Sequence, residues 1–180
     1  LFYKVPDFGM GKFRLSLNVA HLMSFVQSAG PDGQEIIDGI ASGVLPLDVT
    51  VGGLGELVEI EGRPKWRATG AINWGSGPVD IGLFGQYTGK VYDTSVIRDV
   101  LIDSDDPNAN YYPVHDQFTL NLSIAYTIKN DTPLDGTRLR FAINNLFNED
   151  PPLADEDYGF FSNLYTARGR VFHVELRKKF

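Results

Sequence analysis

Apolar and polar residues alternate along this chain with period two, the signature of a strand whose two faces meet different surroundings. Six segments carry the pattern. In the first, Phe13, Leu15, Leu17, Val19, Met23 and Phe25 share one face, opposite Arg14, Ser16, Asn18, Ala20, Leu22 and Ser24. The second sets Trp66, Ala68, Gly70, Ile72 and Trp74 against Arg67, Thr69, Ala71 and Asn73. The third sets Val79, Ile81, Leu83, Gly85 and Tyr87 against Asp80, Gly82, Phe84, Gln86 and Thr88. The fourth is the most regular: Phe118, Leu120, Leu122, Ile124, Tyr126 and Ile128 oppose Gln117, Thr119, Asn121, Ser123, Ala125 and Thr127. The fifth has Leu139, Phe141, Ile143 and Phe147 against Arg138, Arg140, Ala142 and Asn144, and the sixth Phe172, Val174, Leu176 and Phe180 against His173, Glu175, Arg177 and Lys179.

These segments alternate over roughly 9–13 residues. A strand of a soluble protein usually runs about 5–6, and one that crosses a membrane needs about 9–11. A soluble β-sandwich also alternates, but its strands break sooner and its outer faces carry more Lys and Glu. The only two tryptophans, Trp66 and Trp74, bracket one strand on its apolar face. Eight residues rise about 26 Å, or ~20 Å after a tilt near 40°, a separation that suits two interfacial girdles. The pattern therefore predicts an all-β, transmembrane antiparallel β-barrel.

The connections alternate in length. Long ones run from about Gln27 to Arg63, Asp93 to Val114 and Asn148 to Leu164. Short ones are Gly75-Ser76-Gly77-Pro78 and Lys129 to Gly136. Outer-membrane barrels have long extracellular loops and short periplasmic turns, and six strands in this order place the C-terminus in the periplasm. The long connections hold 17 of the 23 acidic residues and only two basic ones, Arg63 and Arg98. Basic residues gather instead near the turns and on the polar faces: Lys12, Arg14, Arg138, Arg140, Arg177 and Lys179.

Composition narrows the function. With no Cys, disulfides, thiol nucleophiles and Cys-based zinc sites are excluded. A formal net charge of -7 argues against a nucleic-acid partner. No run approaches the roughly 18 apolar residues of a transmembrane helix. His21 falls on an apolar face, His115 precedes Asp116 in a turn, and His173 lies on a polar face beside Glu175 as a contact with material inside the barrel. No Ser-His-Asp spacing, phosphate loop or metal-ligand pattern stands out. The expectation is a non-enzyme with no cofactor and no metal.

Four stretches resemble one family, the TonB-dependent receptors of the Gram-negative outer membrane. Asn144-Asn145-Leu146-Phe147 followed by Pro151 resembles their penultimate strand and its Pro-containing loop. Gly169-Arg170-Val171-Phe172 resembles the opening of their last strand, and Pro64-Lys65-Trp66-Arg67 that of an earlier one. Asp7 through Phe13, with Gly9 and Gly11, resembles one of their periplasmic turns. Phe172, Val174, Leu176 and Phe180 resemble the C-terminal signal read by the barrel-assembly machinery, with Lys178 departing from the alternation.

The resemblance covers nearly the whole chain. It implies that residues 1–180 are the C-terminal six or so strands of a larger barrel of about 22 strands. An N-terminal plug and the segment that contacts the TonB complex would lie upstream, outside these residues. It further implies uptake of a scarce small-molecule ligand such as a siderophore, haem, cobalamin or an oligosaccharide, across the lipid of the outer membrane. A general porin, or less readily an outer-membrane hydrolase, is the alternative.

The three long loops are expected to form an extracellular cap. The first is about 37 residues, too long for a simple connection, and carries Ile36, Ile37, Ile40, Val44, Leu45 and Leu47. Candidate ligand contacts are Asp105, Asp106, Tyr111 and Tyr112 in the second loop, and Asp157, Tyr158, Phe160 and Phe161 in the third. Aromatic rings beside carboxylates can stack on a flat ligand while the carboxylates accept its hydrogen bonds. The clustered negative charge favours a neutral, cationic or metal-bridged ligand.

Overall fold

A computed structural model describes residues 1–6, 9–46, 53–98, 106 and 108–178. Seven strands form one antiparallel sheet in the order in which they occur among its members: β1 (Phe2–Lys4), β2 (Lys12–His21), β5 (Trp66–Ser76), β6 (Val79–Thr88), β9 (Gln117–Thr127), β10 (Arg138–Asn144) and β11 (Val171–Arg177). Two short ribbons stand apart from it. One pairs β3 (Val26–Gln27) with β4 (Gly55–Glu56), and the other pairs β7 (Val91–Ile97) with β8 (Tyr111–Val114). Among the described residues a single helix, α1 (Pro31–Ala41), lies in the first long loop. The protein is thus mostly β-sheet, and no helix among the described residues is long and apolar enough to cross a membrane. The sheet is open, with β1 and β11 at its edges.

The register carries the alternation across every strand. One row runs Leu15, Ile72, Leu83, Leu122, Ile143, Phe172, and the next Phe13, Trp74, Ile81, Ile124, Phe141, Val174. The apolar sides of the strands therefore merge into one continuous face. It has no cover: Leu17, Ile72, Ile124, Phe141 and Val174 are all exposed. Aromatic residues sit at the two ends of this face, with Trp66, Tyr87 and Phe118 toward the long loops and Phe13, Trp74 and Tyr126 toward the turns. The rows between them on the central strands are aliphatic or Gly, as in Leu17, Gly70, Gly85 and Leu120. Phe118 lies over Gly85, where a Cβ would come 3.1 Å from its ring.

The opposite face carries Arg14, Asn73, Gly82, Ser123, Ala142 and His173 in one row, and Lys12, Gly75, Asp80, Ala125, Arg140 and Glu175 in the next. Arg138 reaches across β9 to Asp80 at 2.8 Å. Glu175 accepts from Arg177 at 2.9 Å and lies 3.7 Å from Arg140. Within the seven-stranded sheet only Thr88, Ala125 and Ala142 are buried.

The structure departs from the sequence pattern at the strand ends. The first segment was expected to continue to Phe25, but β2 stops at His21. Glu56 draws the following residues away, accepting from Ser24 Oγ and Phe25 N at 2.7 Å each. His21 itself stacks flat on Trp66, with ring centroids 3.9 Å apart, which explains an imidazole on the apolar face. The fifth segment was expected to include Phe147, but β10 stops at Asn144 because Asn145 adopts a left-handed φ of 54°. β10 and β11 have seven residues each, shorter than the alternation suggested. The sheet has seven strands rather than six, since Phe2–Lys4 adds an edge strand whose turn lies at the same end as the other short turns. Lys178 donates to the carbonyls of Pro133 and Asp135 at 2.6 Å each, so its break in the alternation ties β11 to the β9–β10 turn.

Asn145 and Asn148 lock the end of β10. The Asn145 amide group donates to Glu149 O at 2.8 Å and accepts from Glu149 N at 2.9 Å. Its backbone N–H donates to Asn121 Oδ1 at 2.8 Å. Asn148 Oδ1 accepts from Arg170 N at 2.9 Å, and a Cβ on Gly169 would come 3.1 Å from the same oxygen. Asn145→Ala removes two side-chain hydrogen bonds worth about 1 kcal/mol each and replaces a residue that tolerates the left-handed region with one that does not, at a further cost of about 1 kcal/mol. A loss of roughly 3 kcal/mol is expected in equilibrium urea unfolding, with Asn145→Gly losing less because glycine tolerates the φ. Equal losses for the two variants would contradict the conformational part of this account.

Candidate functional site

The three long loops meet in one packed body at the end of the sheet opposite the turns. Its foundation is the β7–β8 ribbon, which prolongs the β6–β9 pair through Gly89-Lys90 and His115-Asp116. Val91 and Val114 pair on this ribbon and are fully buried. Ala154, Phe161 and Tyr165 of the third loop close over them, with Tyr112, Phe160 and Leu164 packed around the edge. A second cluster joins Leu57 and Ile60 of the first loop to Tyr92, with Tyr111 against it. The hydrophobic core of the described residues therefore lies in the cap rather than on the sheet.

Two carboxylates fasten the loops to each other. Asp93 is 1% exposed; its Oδ1 accepts from Ser95 N at 3.0 Å and Ser95 Oγ at 2.5 Å, and its Oδ2 accepts from Asp155 N at 2.6 Å. A buried carboxylate needs such donors, because an unpaired one would cost several kcal/mol. Glu61 Oε1 accepts from Thr94 N at 2.7 Å and from the Thr94 hydroxyl, tying the first loop to the second. Tyr92 N donates to Glu59 O at 2.6 Å, and Glu61 N to Tyr92 O at 3.0 Å. Gly62, at φ 75°, lets the first loop come against Asn163 of the third, where a Cβ would lie 2.8 Å from the side-chain amide.

The candidate residues separate by their surroundings. Phe161 is 4% exposed and belongs to the cap core. Tyr111, Tyr112 and Phe160 are half-buried against the two clusters, with one edge free. Asp157 and Tyr158 are exposed, Tyr158 at 75%, and the Tyr158 and Phe160 rings lie 6.4 Å apart at a tilt. Asp106 accepts from the Tyr92 hydroxyl at 2.7 Å and from Lys90 Nζ at 3.2 Å. Asp105 lies outside the described residues, as do Phe180 of the C-terminal signal and Leu47 of the first loop. Phe172, Val174 and Leu176 line the exposed apolar side of the edge strand β11.

The described apolar residues singled out in the first loop stand outside the cap core. Ile36, Ile37 and Ile40 sit on α1, which has no buried residue, and Leu45 folds back onto Gly39. Leu57 and Ile60, which carry no periodic signal, supply the core instead. The sequence pattern passed over a recess of about 290 Å³ at the root of the cap, lined by Tyr112, His115, Asp116, Glu149, Asp150 and Leu153 among others. His115, read as a plain turn residue, helps to line it. The recess presents an aromatic ring, an imidazole and three carboxylates, a set suited to hydrogen-bond donors or a cation on the ligand.

The cap is strongly anionic. Burial, together with the carboxylates of Glu61, Asp93, Asp157 and Asp155, pushes the Glu156 carboxyl above its ordinary range. Hydrogen bonding to Tyr92, with help from Asp106, holds the Lys90 proton more tightly than usual. Burial pushes the Tyr165 phenol up to about 12, and its hydroxyl has no hydrogen-bond partner among the described residues. Among those residues no cluster of His, Asp and Glu has the geometry to hold a metal ion. No model of a known protein family, no curated protein and no solved structure matches the chain.

The Tyr92 hydrogen bond, then the Asn108 amide and Lys90, hold the Asp106 carboxyl below its ordinary value of 3.8, against a smaller opposing effect of burial. Because the folded value is depressed, this stabilisation is fully present above pH 3.8 and is lost as pH falls through the folded value. Hydrogen exchange at the Asn108 amide, corrected for its intrinsic pH dependence, is expected to lose protection over that acid range. Asp106→Asn is expected to abolish the acid response; an unchanged response in that variant would place the titrating group elsewhere.

Proposed function

We propose that these residues are strands of an outer-membrane β-barrel of the TonB-dependent receptor kind, and that the barrel imports a scarce nutrient captured at its extracellular mouth. One observation carries the reading: a seven-stranded sheet whose whole apolar face is uncovered, aliphatic in the middle and aromatic at both ends. In water such a face would demand a partner layer. In a bilayer it needs none, and Trp and Tyr belong at the two interfaces. From Phe118 to Tyr126 the aromatic ends stand eight residues apart, a rise of about 26 Å along the strand or ~20 Å after a tilt near 40°, comparable to an apolar band near 25 Å tall.

Three further features support it. Cavities of about 720, 320 and 210 Å³ are lined mainly by polar-face side chains, in keeping with a sheet curved around a polar interior. The edges β1 and β11 carry unpaired backbone groups, which in lipid must meet further strands. The stretches that resemble the family's penultimate and last strands come together through Asn148, Gly169 and Arg170. On this reading the barrel lies in the outer membrane of a Gram-negative bacterium, assembled there by the barrel machinery. Uptake is driven through the TonB complex by a plug beyond these residues.

The cap then serves as the capture surface. Tyr158, Asp157 and the free edges of Phe160 and Tyr112 offer ring faces and carboxylates to the outside, and the recess beside His115 leads inward. Negative charge across the mouth favours a neutral, cationic or metal-bridged ligand over a bare anion.

Membrane burial is tested at one strand. Leu122→Arg, on the apolar face near its middle, is expected to cost roughly 2–4 kcal/mol in folding into lipid vesicles, while Thr119→Arg on the polar face costs much less. Similar losses at the two sites, or full folding without lipid or detergent, would argue for a soluble sheet. Capture is tested by uptake. Tyr158→Ala is expected to weaken ligand binding with little effect on stability, whereas Phe161→Ala opens the cap core at a cost of about 3–5 kcal/mol. Undiminished binding of the transported ligand to the Tyr158 variant would reduce the cap to a passive lid.

A further inference from the structure

Two phenyl rings interrupt the polar face of the sheet. Phe84 stands on β6 at 41% exposure and Phe2 on β1 at 64%. Both belong to one row of paired residues: Phe2, Ser16, Ala71, Phe84 and Asn121. Among the described residues no other Phe, Tyr or Trp of the sheet lies on that face. β1 and β6 are three strand spacings apart, about 14 Å. Only the small side chains of Ser16 and Ala71 fill the row between the rings. A recess of about 360 Å³ opens there, lined by Phe2, Ser16, Asn18, Thr69 and Phe84 among others.

The band around the rings carries no charge. The next row toward the cap is Asn18, Thr69, Gln86 and Thr119. Charged side chains begin one row further out on either side, with Arg67 toward the cap and Lys4 and Arg14 toward the turns. The side chains of Ser16, Asn18, Thr69, Gln86 and Thr119 make no hydrogen bond among the described residues. Each of these amides and hydroxyls can both donate and accept.

This combination selects its ligand. An anion would need a guanidinium or an ammonium, a cation would need a carboxylate, and the lining of the recess has neither. A pyranose ring has an apolar face of C–H groups and a rim of hydroxyls. The first suits the electron-rich face of a phenyl ring, and the second suits groups that donate and accept at once. A single sugar cannot touch rings three strands apart, whereas a short oligosaccharide can. We propose that the recess is a binding platform for a neutral oligosaccharide. Phe84 stacks on one sugar and Phe2 on another, and Asn18 and Thr69 pair with hydroxyls between them. The proposal rests on the uptake reading and deepens it by naming the class of cargo.

The test is isothermal titration calorimetry on the natural full-length protein. The probes are short oligosaccharides of glucose, xylose and mannose, the three monosaccharides, and an anionic ferric tricatecholate. A neutral oligosaccharide is expected to bind and its monosaccharide is not. Phe84→Ala should weaken that binding about tenfold, the size of one lost stacking contact, while Phe84→Trp keeps it. Asn18→Ala, at an exposed position, should weaken it several-fold with thermal melting unchanged. Binding is read on the isolated protein and uptake on cells, so the two readings fail separately. Oligosaccharide binding without uptake sinks transport and leaves the platform standing. Uptake of the ferric complex with no oligosaccharide bound sinks the platform alone. No binding by any of the oligosaccharides, or affinity unchanged in both Phe84→Ala and Asn18→Ala, overturns the proposal.

Discussion

Between β5, β6 and β9 the backbone ladder runs through ten consecutive pairs on each side without a bulge. Everything else about the sheet depends on that register. Side chains alternate with a period of two, so a slip of one residue would turn every apolar side chain of a strand to the polar face. Because no slip occurs, Leu83 lies between Ile72 and Leu122, and Gly82 between Asn73 and Ser123. The two faces are as different as the inside and outside of a protein, yet neither is covered by another element. The ladder satisfies its own hydrogen bonds, which is the condition for a sheet to face a medium without water.

The cap answers a different constraint. Its residues stand beyond the sheet, so they must build a core of the ordinary soluble kind, and Val91, Val114, Phe161 and Tyr165 do so. Asp93 shows how closely the three loops fit. It spends both carboxylate oxygens on donors from two segments in a place where an unpaired charge would be untenable. Exposed carboxylates such as Asp157 carry no such constraint and are free to meet a ligand. The contrast separates structural acids from candidate binding ones within a single anionic surface.

Much of the sheet was legible in the sequence because periodicity is a local property. Residues 66–88 and 117–127 alternate so cleanly that faces, turns and pairing order could be read directly. The ends were not legible. Nothing in the pattern announces that Asn145 turns left-handed, or that Glu56 draws Phe25 out of line with β2, since both depend on partners far along the chain. The cap was legible as loops but not as a core. Phe161 looked like a ligand contact because an aromatic in an acidic loop gives the same signal whether it faces inward or outward. Leu57 and Ile60 gave no signal, because their burial depends on Tyr92, far along the chain. The cavity on the polar face at the turn end was legible only as a scatter of basic residues; the register was needed to bring Lys12 and Arg140 to one cavity.

The split origin of the cap core carries a consequence for how the chain assembles. Val91 and Val114 belong to a single hairpin and can meet as soon as β6 and β9 zip together, at the entropic cost of closing one loop. Ala154, Phe161 and Tyr165 arrive only after β10, from the connection that leads into β11. Until then the paired valines and Tyr112 present an apolar surface with nothing over it. The cap core is therefore complete only when both hairpins are in place: the central one supplies the paired valines, and the connection between β10 and β11 supplies their cover. A chain that lacks β11 keeps half of this core open.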